Sequence, residues 1–217
     1  QKQDIYTIDT NGNNFQQLTS IGSNSQPCWS PNADRIAFVT TRTGSYQVYI
    51  MDATGQNEHQ VGHEAGPLWG PTFVNDYTLA VTTYPLGDDK STDSEIVWIH
   101  PDGKNYHERL THNEFDDYDA AFPPSSLGMM AAIAKIGNEN VLSVYYVPSY
   151  PKDVRIPLIT ASSLTSPSWS RNGDWIAVSD KGQSKAKVHI TTKDGHLMLE
   201  GEWTELPPIT SLAVMPG

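Results

Sequence analysis

The chain has 217 residues, and its 25 acidic and 14 basic side chains give a formal net charge of −11 at pH 7. An acidic chain without a basic stripe is not expected to bind nucleic acid or anionic lipid, and no apolar run approaches the roughly 18 residues of a membrane-spanning helix. The single cysteine, Cys28, excludes an internal disulfide. We therefore expect no nucleic-acid partner, no membrane insertion and a core that needs no covalent crosslink.

The predicted elements are short strands that recur in a fixed order along the chain. Two strands, at 4–10 and 15–19, come first, and a set of four follows at 26–31, 35–41, 46–53 and 58–61. Later sets begin at 66, 119 and 166, and one more strand is predicted at 209–217. Most of these segments alternate apolar and polar residues and are rich in Val, Ile, Tyr, Trp and Thr, which favours strands.

Turn signals and aromatic residues repeat together with these strands. Pairs such as Asn11-Gly12 lie between the third and fourth strand of a set, where a tight hairpin requires positive φ. The first strand of each set ends near a large apolar residue, and we predict equivalent packing positions at Trp29, Trp69, Phe122, Trp169 and Val214. A unit of four antiparallel strands that repeats about every 45 residues is the signature of a β-propeller.

Several of these phrases resemble one known family. Residues 29–38 read Trp-Ser-Pro-Asn-Ala-Asp-Arg-Ile-Ala-Phe, residues 48–52 read Val-Tyr-Ile-Met-Asp, and residues 109–111 read Arg-Leu-Thr. Together they resemble the PD40, or WD40-like, repeat of TolB-type β-propellers, and the resemblance covers essentially the whole chain. It implies a scaffold protein of the bacterial cell envelope, so we expect a periplasmic or extracellular location.

We predict a single all-β propeller domain over residues 1–217. Complete blades are expected at about 24–63, 66–112, 117–160 and 165–207, and residues 209–217 plus 4–19 are expected to close the ring as one further blade. This arrangement favours five blades. The TolB-type resemblance favours six, which would apply if the chain were a piece of a larger ring.

Catalytic residues are not predicted in this chain. The G-x-S-x-G turn that presents the nucleophile of α/β-hydrolases does not occur in the sequence. We favour a monomeric, non-catalytic scaffold that binds a protein, a peptide or another ligand. The sequence leaves open whether the chain is an enzyme, or an accessory or sensor domain of a larger protein.

Candidate binding residues lie where the sequence departs from the repeat. An insertion at 85–94 lengthens the second unit, and insertions in repeat proteins commonly lie on the binding face. The acidic stretch 114–119 leads into a predicted innermost strand near the axial opening, and tyrosines outside the repeat are typical interface anchors. The predicted binding residues are Tyr84, Leu86, Asp88, Asp89, Asp116, Asp117, Tyr118 and Tyr150.

No cofactor is predicted, but a bound divalent metal stays an open alternative. His63 and His112 lie in predicted loops between units, and such loops gather on one face of a propeller. Acidic, oxygen-rich loops of the kind seen here also suit Ca²⁺. Propellers with this type of repeat include an oligogalacturonate lyase that holds a metal with histidines. The resemblance therefore implies, as the alternative function, a polysaccharide lyase that depends on a metal such as Mn²⁺.

Overall fold

The computed structural model describes residues 2–62, 66–84, 92–102, 108–124, 128–147, 154–181 and 186–203. Eighteen β-strands form among these residues. In the same part of the chain, no helix has the length and apolar character needed to cross a membrane.

Sixteen of the strands described form four antiparallel sheets of four strands each, which we call blades 1 to 4. Blade 1 contains β3 (Asn24–Trp29), β4 (Arg35–Thr40), β5 (Gln47–Asp52) and β6 (His59–Val61). Blade 2 contains β7 (Leu68–Asn75), β8 (Thr78–Thr83), β9 (Glu95–Ile99) and β10 (Glu108–Arg109). Blade 3 contains β11 (Asp116–Ala121), β12 (Met129–Ile136), β13 (Glu139–Tyr146) and β14 (Val154–Ala161). Blade 4 contains β15 (Leu164–Trp169), β16 (Trp175–Asp180), β17 (Ala186–Thr192) and β18 (Leu197–Trp203). Strands that are neighbours in sequence are neighbours in each sheet.

The all-β propeller prediction is confirmed, but the predicted count of five blades, or six, was wrong. The described residues form four blades and a separate two-stranded sheet of β1 (Tyr6–Thr7) and β2 (Gln16–Gln17). The residues that end in Leu18-Thr19 resemble the last strand of a full blade. They were therefore counted as part of a further blade, although only β1 and β2 pair there. The strand predicted at 209–217 lies outside the described residues.

Near-continuous runs of buried residues along β4, β8 and β12 bury both faces of blades 1 to 3, whereas β16 alternates buried and more accessible side chains, so blade 4 buries one face. One cluster joins blades 1 and 2, and its fully buried members include Val48, Ile50 and Val81. A second joins blades 2 and 3 and includes Ile96 and Met130. A third joins blades 3 and 4 and includes Ile133 and Ile176. The two-stranded sheet packs Ile5 and Leu18 against the outer face of blade 1. Full burial of such a side chain contributes about 1.5–3 kcal/mol, so the interblade clusters hold the blades in place.

The first strand of every blade contains a β-bulge. The register shifts once in each of β3, β11 and β15 and twice in β7, and a residue with left-handed φ lies at the first shift of each strand: Gln26, Gly70, Asp119 and Ser166. These four strands contact one another in succession, so they are the innermost strands of the arc of blades. A bulge re-aims side chains locally and strengthens the twist of a strand.

The bulge in β7 corrects one predicted equivalence. Trp29 pairs with Ile36 in blade 1, and its counterpart in blade 2 is Phe73, which pairs with Leu79. Trp69 instead pairs with Thr82, at a position that Ser25 occupies in blade 1. Residues 68–71, Leu-Trp-Gly-Pro, resemble residues 28–31, Cys-Trp-Ser-Pro. However, Trp69 lies before the bulge of its strand, whereas Trp29 lies after the bulge of its own.

Candidate binding site

In each blade, the first and third strands begin at the same end, which we call the leading end. Neighbouring blades are joined there by backbone hydrogen bonds from the start of an innermost strand. Leu68 N donates to Tyr46 O at 2.9 Å, and Asp117 N donates to Ser94 O at 2.8 Å. The leading ends of blades 1 to 3 therefore lie on one side of the molecule, and several predicted site residues lie there.

Asp116 and Asp117 are adjacent in sequence but serve different purposes. Asp116 Oδ1 accepts from Ser94 N at 2.8 Å and from Ser94 Oγ at 3.2 Å, which anchors the start of β11 to the start of β9. Asp117 is fully buried, and its carboxylate accepts from Tyr145 Oη at 2.7 Å and from Asn113 Nδ2 at 2.6 Å. The structure thus places Asp117 inside the junction between blades, while Asp116 stays partly accessible.

A second buried carboxylate, Glu95, lies beside this pair at the same junction. Arg109 and Thr111 both donate to it, and Thr111 Oγ1 also accepts from Ile96 N at 3.0 Å. Burial raises the pKa of Glu95 to about 8, and the Thr111 hydroxyl and the Arg109 guanidinium offset only part of that effect. Burial and the neighbouring Asp117 likewise raise the pKa of Tyr145, so its hydroxyl stays a donor.

Tyr118 lies partly buried against the cluster between blades 3 and 4. Burial raises the pKa of its hydroxyl to about 12, and the charges of Asp119 and Asp116 add to the effect. The hydroxyl is therefore protonated at neutral pH and can donate a hydrogen bond. Asp116, Tyr118 and Asp119 together make the start of β11 a polar surface with fixed side chains.

An aromatic pair lies at the leading end of blade 2. Tyr84 is 50% exposed, and its ring lies 5.3 Å from the Trp69 ring, centroid to centroid, at an interplanar angle of 59°. Trp69 is itself packed against the cluster between blades 1 and 2. Tilted ring pairs at this distance are favourable beyond their area of contact, so Tyr84 is a surface aromatic residue with a rigid support.

Five of the predicted site residues lie outside the described part of the chain: His63, Leu86, Asp88, Asp89 and Tyr150. His112 is partly buried in the connection between blades 2 and 3. Among the residues that the structure describes, no three His, Cys, Asp or Glu side chains gather closely enough to hold a metal. The metal site that would pair His63 with His112 stays a prediction.

Two residues of this surface escaped the sequence-based prediction. Trp69 was taken as a repeat position, although the Gly70 that follows it marks a bulge and changes its register. Glu95, in the acidic stretch 93–95, was interpreted as a solvated charge, whereas the structure buries it. Its alignment with Asp4 and Gln47, the polar residues at the equivalent position of the preceding units, was the available signal that this position is reserved for a polar side chain.

Two TolB proteins are similar to parts of this chain at modest identity, and no family model matches the chain. The Tol-Pal system protein TolB 1 of Novosphingobium aromaticivorans is 36% identical over 72 residues, which are 31% of this chain and 16% of that protein. A TolB homologue of Chlorobium luteolum is 30% identical over 103 residues, which are 46% of this chain and 23% of that protein. The matches thus span less than a quarter of either relative.

Solved structures with the same fold cover most of the described chain. TolB from Acinetobacter baumannii superposes with a TM-score of 0.53 at 15% identity, over 92% of this chain and 59% of that one. A gluconolactonase from Xanthomonas campestris gives 0.67 at 14% identity, over 93% and 69%. An oligogalacturonate lyase in complex with manganese gives 0.50 at 13% identity, over 90% and 69%. These superpositions show a shared propeller fold, and the sequence matches show that part of this chain is similar to TolB proteins.

Proposed function

We propose that the chain is a non-catalytic binding scaffold that holds a protein or peptide partner at the leading end of blades 2 and 3. The observation that carries this proposal is the half-exposed Tyr84, supported from behind by the packed ring of Trp69. Tyrosine and tryptophan dominate the energetics of protein interfaces, because they bury a large area at a small cost in side-chain entropy.

The surroundings of Tyr84 support the same proposal. The Ser94–Asp116 hydrogen bonds fix the adjoining strand starts, so little order has to be gained when a partner binds. Asp116 and Asp119, which are partly accessible at the start of β11, make this end acidic. A partner with a cationic or hydrogen-bond-donating segment and an apolar residue to place against Tyr84 fits this chemistry.

The similarity to TolB proteins supports the cellular setting of the proposal. One of these relatives is named as a component of the Tol-Pal system, and this chain carries phrases that resemble the PD40 repeat. We place the chain in the bacterial periplasm or cell envelope, as a monomer that binds proteins. As a piece or a domain of a longer polypeptide, it would present the same surface.

The test is a binding measurement with Tyr84→Ala and a matched control. Peptides selected from a displayed random library on the wild-type protein would be measured by fluorescence polarisation. Loss of the anchor should weaken binding by about 2 kcal/mol, roughly thirtyfold in Kd. Tyr77→Ala is the control, because Tyr77 is 79% exposed in the turn at the opposite end of the same blade; it should bind as the wild type does. Equal affinities for the two variants would contradict the proposal.

The metal-dependent lyase remains the rival proposal. It rests on His63 and His112, of which only His112 lies among the described residues, and on a fold likeness to a manganese-bound lyase. Isothermal titration of the purified chain with MnCl₂ tests it directly. Stoichiometric binding that His112→Ala abolishes would favour the lyase over the scaffold.

A further inference from the structure

Two turns of the chain contain the same pair of residues, Asn-Gly, in a similar backbone conformation. Asn11 and Gly12 lie between β1 and β2, and Asn172 and Gly173 lie between β15 and β16. Each glycine has a left-handed φ, +83° and +72°, and its N–H donates to the carbonyl three residues earlier at 2.9 Å. The sequence contains no other Asn-Gly pair, so these two form a matched comparison.

The side chains of the two asparagines are held very differently. Asn172 Oδ1 accepts from Ser170 Oγ at 2.7 Å and from Asp174 N at 3.4 Å, and Asn172 Nδ2 donates to Asp174 Oδ2 at 2.6 Å. Asn11 Oδ1 accepts from Asn13 N at 3.0 Å, and Asn11 Nδ2 makes no hydrogen bond within the part of the chain that the structure describes. Rotation of the carboxamide therefore breaks one hydrogen bond at Asn11 and three at Asn172.

The peptide groups that follow the two asparagines differ in exposure. Gly12 is exposed, and a Cβ built there would have no heavy atom within 4 Å, whereas Gly173 is buried. Because glycine has no side chain, its backbone nitrogen can approach the preceding carboxamide closely. Hydroxide or water must also reach that N–H to remove its proton, and the exposure of Gly12 allows this whereas the burial of Gly173 hinders it.

We propose that Asn11 is a site of spontaneous deamidation in the folded protein and that the fold protects Asn172 from the same reaction. The Gly12 nitrogen loses its proton and attacks Cγ of Asn11, and the side-chain nitrogen leaves as ammonia. Water then opens the cyclic succinimide. Cleavage between the Gly12 nitrogen and Cγ gives aspartate, and cleavage between that nitrogen and the main-chain carbonyl carbon gives isoaspartate. Either route consumes one water, releases one ammonia and creates one carboxylate, without an oxidant or a reductant.

The reaction changes the two-stranded sheet rather than the proposed binding surface. Isoaspartate adds a backbone carbon to a turn that is closed by Asp9 N donating to Asn13 O at 2.9 Å. The sheet covers the outer face of blade 1 through Ile5 and Leu18, and Leu18 N donates to Ile5 O. Isoaspartate should therefore speed hydrogen exchange of the Leu18 amide. Tyr84 takes no part in this reaction, so deamidation and the proposed function are tested independently.

Peptide mapping by mass spectrometry measures both sites in one sample. The full chain is incubated at pH 8 and 37 °C, and a second sample in guanidinium chloride is the unfolded reference. The two Asn-Gly pairs should react at similar rates when the chain is unfolded. In the folded protein, Asn11 should react at least about tenfold faster than Asn172, because Asn172 has two more hydrogen bonds to break.

Two variants test the physical reason. Asp174→Ala removes the acceptor of Asn172 Nδ2, so it should speed deamidation of Asn172 several-fold and leave Asn11 unchanged. Asn11→Gln should remove the early release of ammonia, because a longer side chain forms the cyclic intermediate more slowly.

Three results would overturn the proposal. They are equal rates at Asn11 and Asn172 in the folded protein, a rate at Asn11 no higher than at the exposed Asn138, which precedes Glu139, and unchanged ammonia release from Asn11→Gln. A rate at Asn172 that stays at the wild-type value in Asp174→Ala would show that its hydrogen bonds do not protect it.

Discussion

The junction between blades 1 and 2 and the junction between blades 2 and 3 share one backbone frame but differ in charge. At the first, Gln60 Nε2 donates to Gln47 Oε1 at 2.9 Å, and Gln47 Nε2 donates to Gly66 O at 3.4 Å. Gln47 is buried, yet nothing in this amide chain titrates. A neutral pair is therefore sufficient to join two blades.

At the second junction, Glu95 and Arg109 take the places of Gln47 and Gln60. Glu95 pairs across the sheet with Thr83 just as Gln47 pairs with Thr40, so the positions correspond. The buried carboxylate and its guanidinium partner are not needed to hold blades together, as the neutral junction shows. Their effect is to concentrate titratable groups next to the candidate binding site, and three experiments can break or sharpen this contrast.

The largest expected effect is a dependence of stability on pH that originates at Glu95. Its pKa rises from an ordinary value of 4.5 to about 8 on folding, so the folded state keeps this proton while the unfolded state loses it. The contribution to stability is complete below pH 4.5 and is lost as the pH rises through 8. At about 1.4 kcal/mol per pH unit, the loss between pH 5 and 8 is at most about 4 kcal/mol.

Urea unfolding of the wild type and of Glu95→Gln at pH 5, 6.5 and 8 measures this effect. The variant converts the charged position to its blade 1 counterpart, so its stability should change much less over this range. Parallel pH profiles for the two proteins would show that the charge of Glu95 plays no part in folding stability.

A smaller effect is expected when the partner of Glu95 is removed. Arg109→Met at pH 9 removes the guanidinium that lowers the pKa of Glu95, so the buried carboxyl must either stay ionised without a partner or take up a proton, and breaking such a pair typically costs 3–5 kcal/mol. Because the Arg109 side chain is 28% exposed, we expect the low end, about 3 kcal/mol, in urea unfolding. Gln60→Met is the matched change at the neutral junction, and it should cost about 1 kcal/mol.

The double variant Glu95→Gln/Arg109→Gln completes that comparison. It rebuilds the blade 1 chemistry at the second junction and should regain most of the stability that Arg109→Met loses. If the double variant is as unstable as Arg109→Met, then the two junctions are not equivalent and the contrast between them fails.

The four-stranded unit could be predicted because its signals are local. Ser30 Oγ accepts from Arg35 N at 3.0 Å, and Ser170 Oγ accepts from Trp175 N at 3.0 Å, so the same short phrase closes the same turn in blades 1 and 4. Strand alternation acts over similarly short distances. Such features can be identified wherever the phrase recurs.

The blade count and the site depend on distant partners, which the repeat does not encode. Leu18-Thr19 has the phrase of a complete blade, yet its strand has only one partner among the described residues. Asp117 was predicted at a binding surface, and no residue near it in sequence indicates that Tyr145, 28 positions later, holds it inside. A one-residue bulge at Gly70 was likewise enough to misplace Trp69 in the alignment.

The smallest expected effect concerns the same two junctions at their innermost strands. The first junction has the link from Gln26 to Gly70, whereas at the second the residue that faces Asp119 is Gly70, which has no side chain to make such a link. Gly70→Asn would place a carboxamide beside Asp119, and Gly70→Ala adds the same Cβ without a hydrogen-bonding group. Both variants bear the strain of a left-handed φ, which asparagine tolerates better. We therefore expect Gly70→Asn to exceed Gly70→Ala in the free energy of unfolding by about 1 kcal/mol, measured by urea titration at pH 6. Equal values would mean that no carboxamide can reach Asp119 N from this position, and the second junction would then differ from the first in more than a missing side chain.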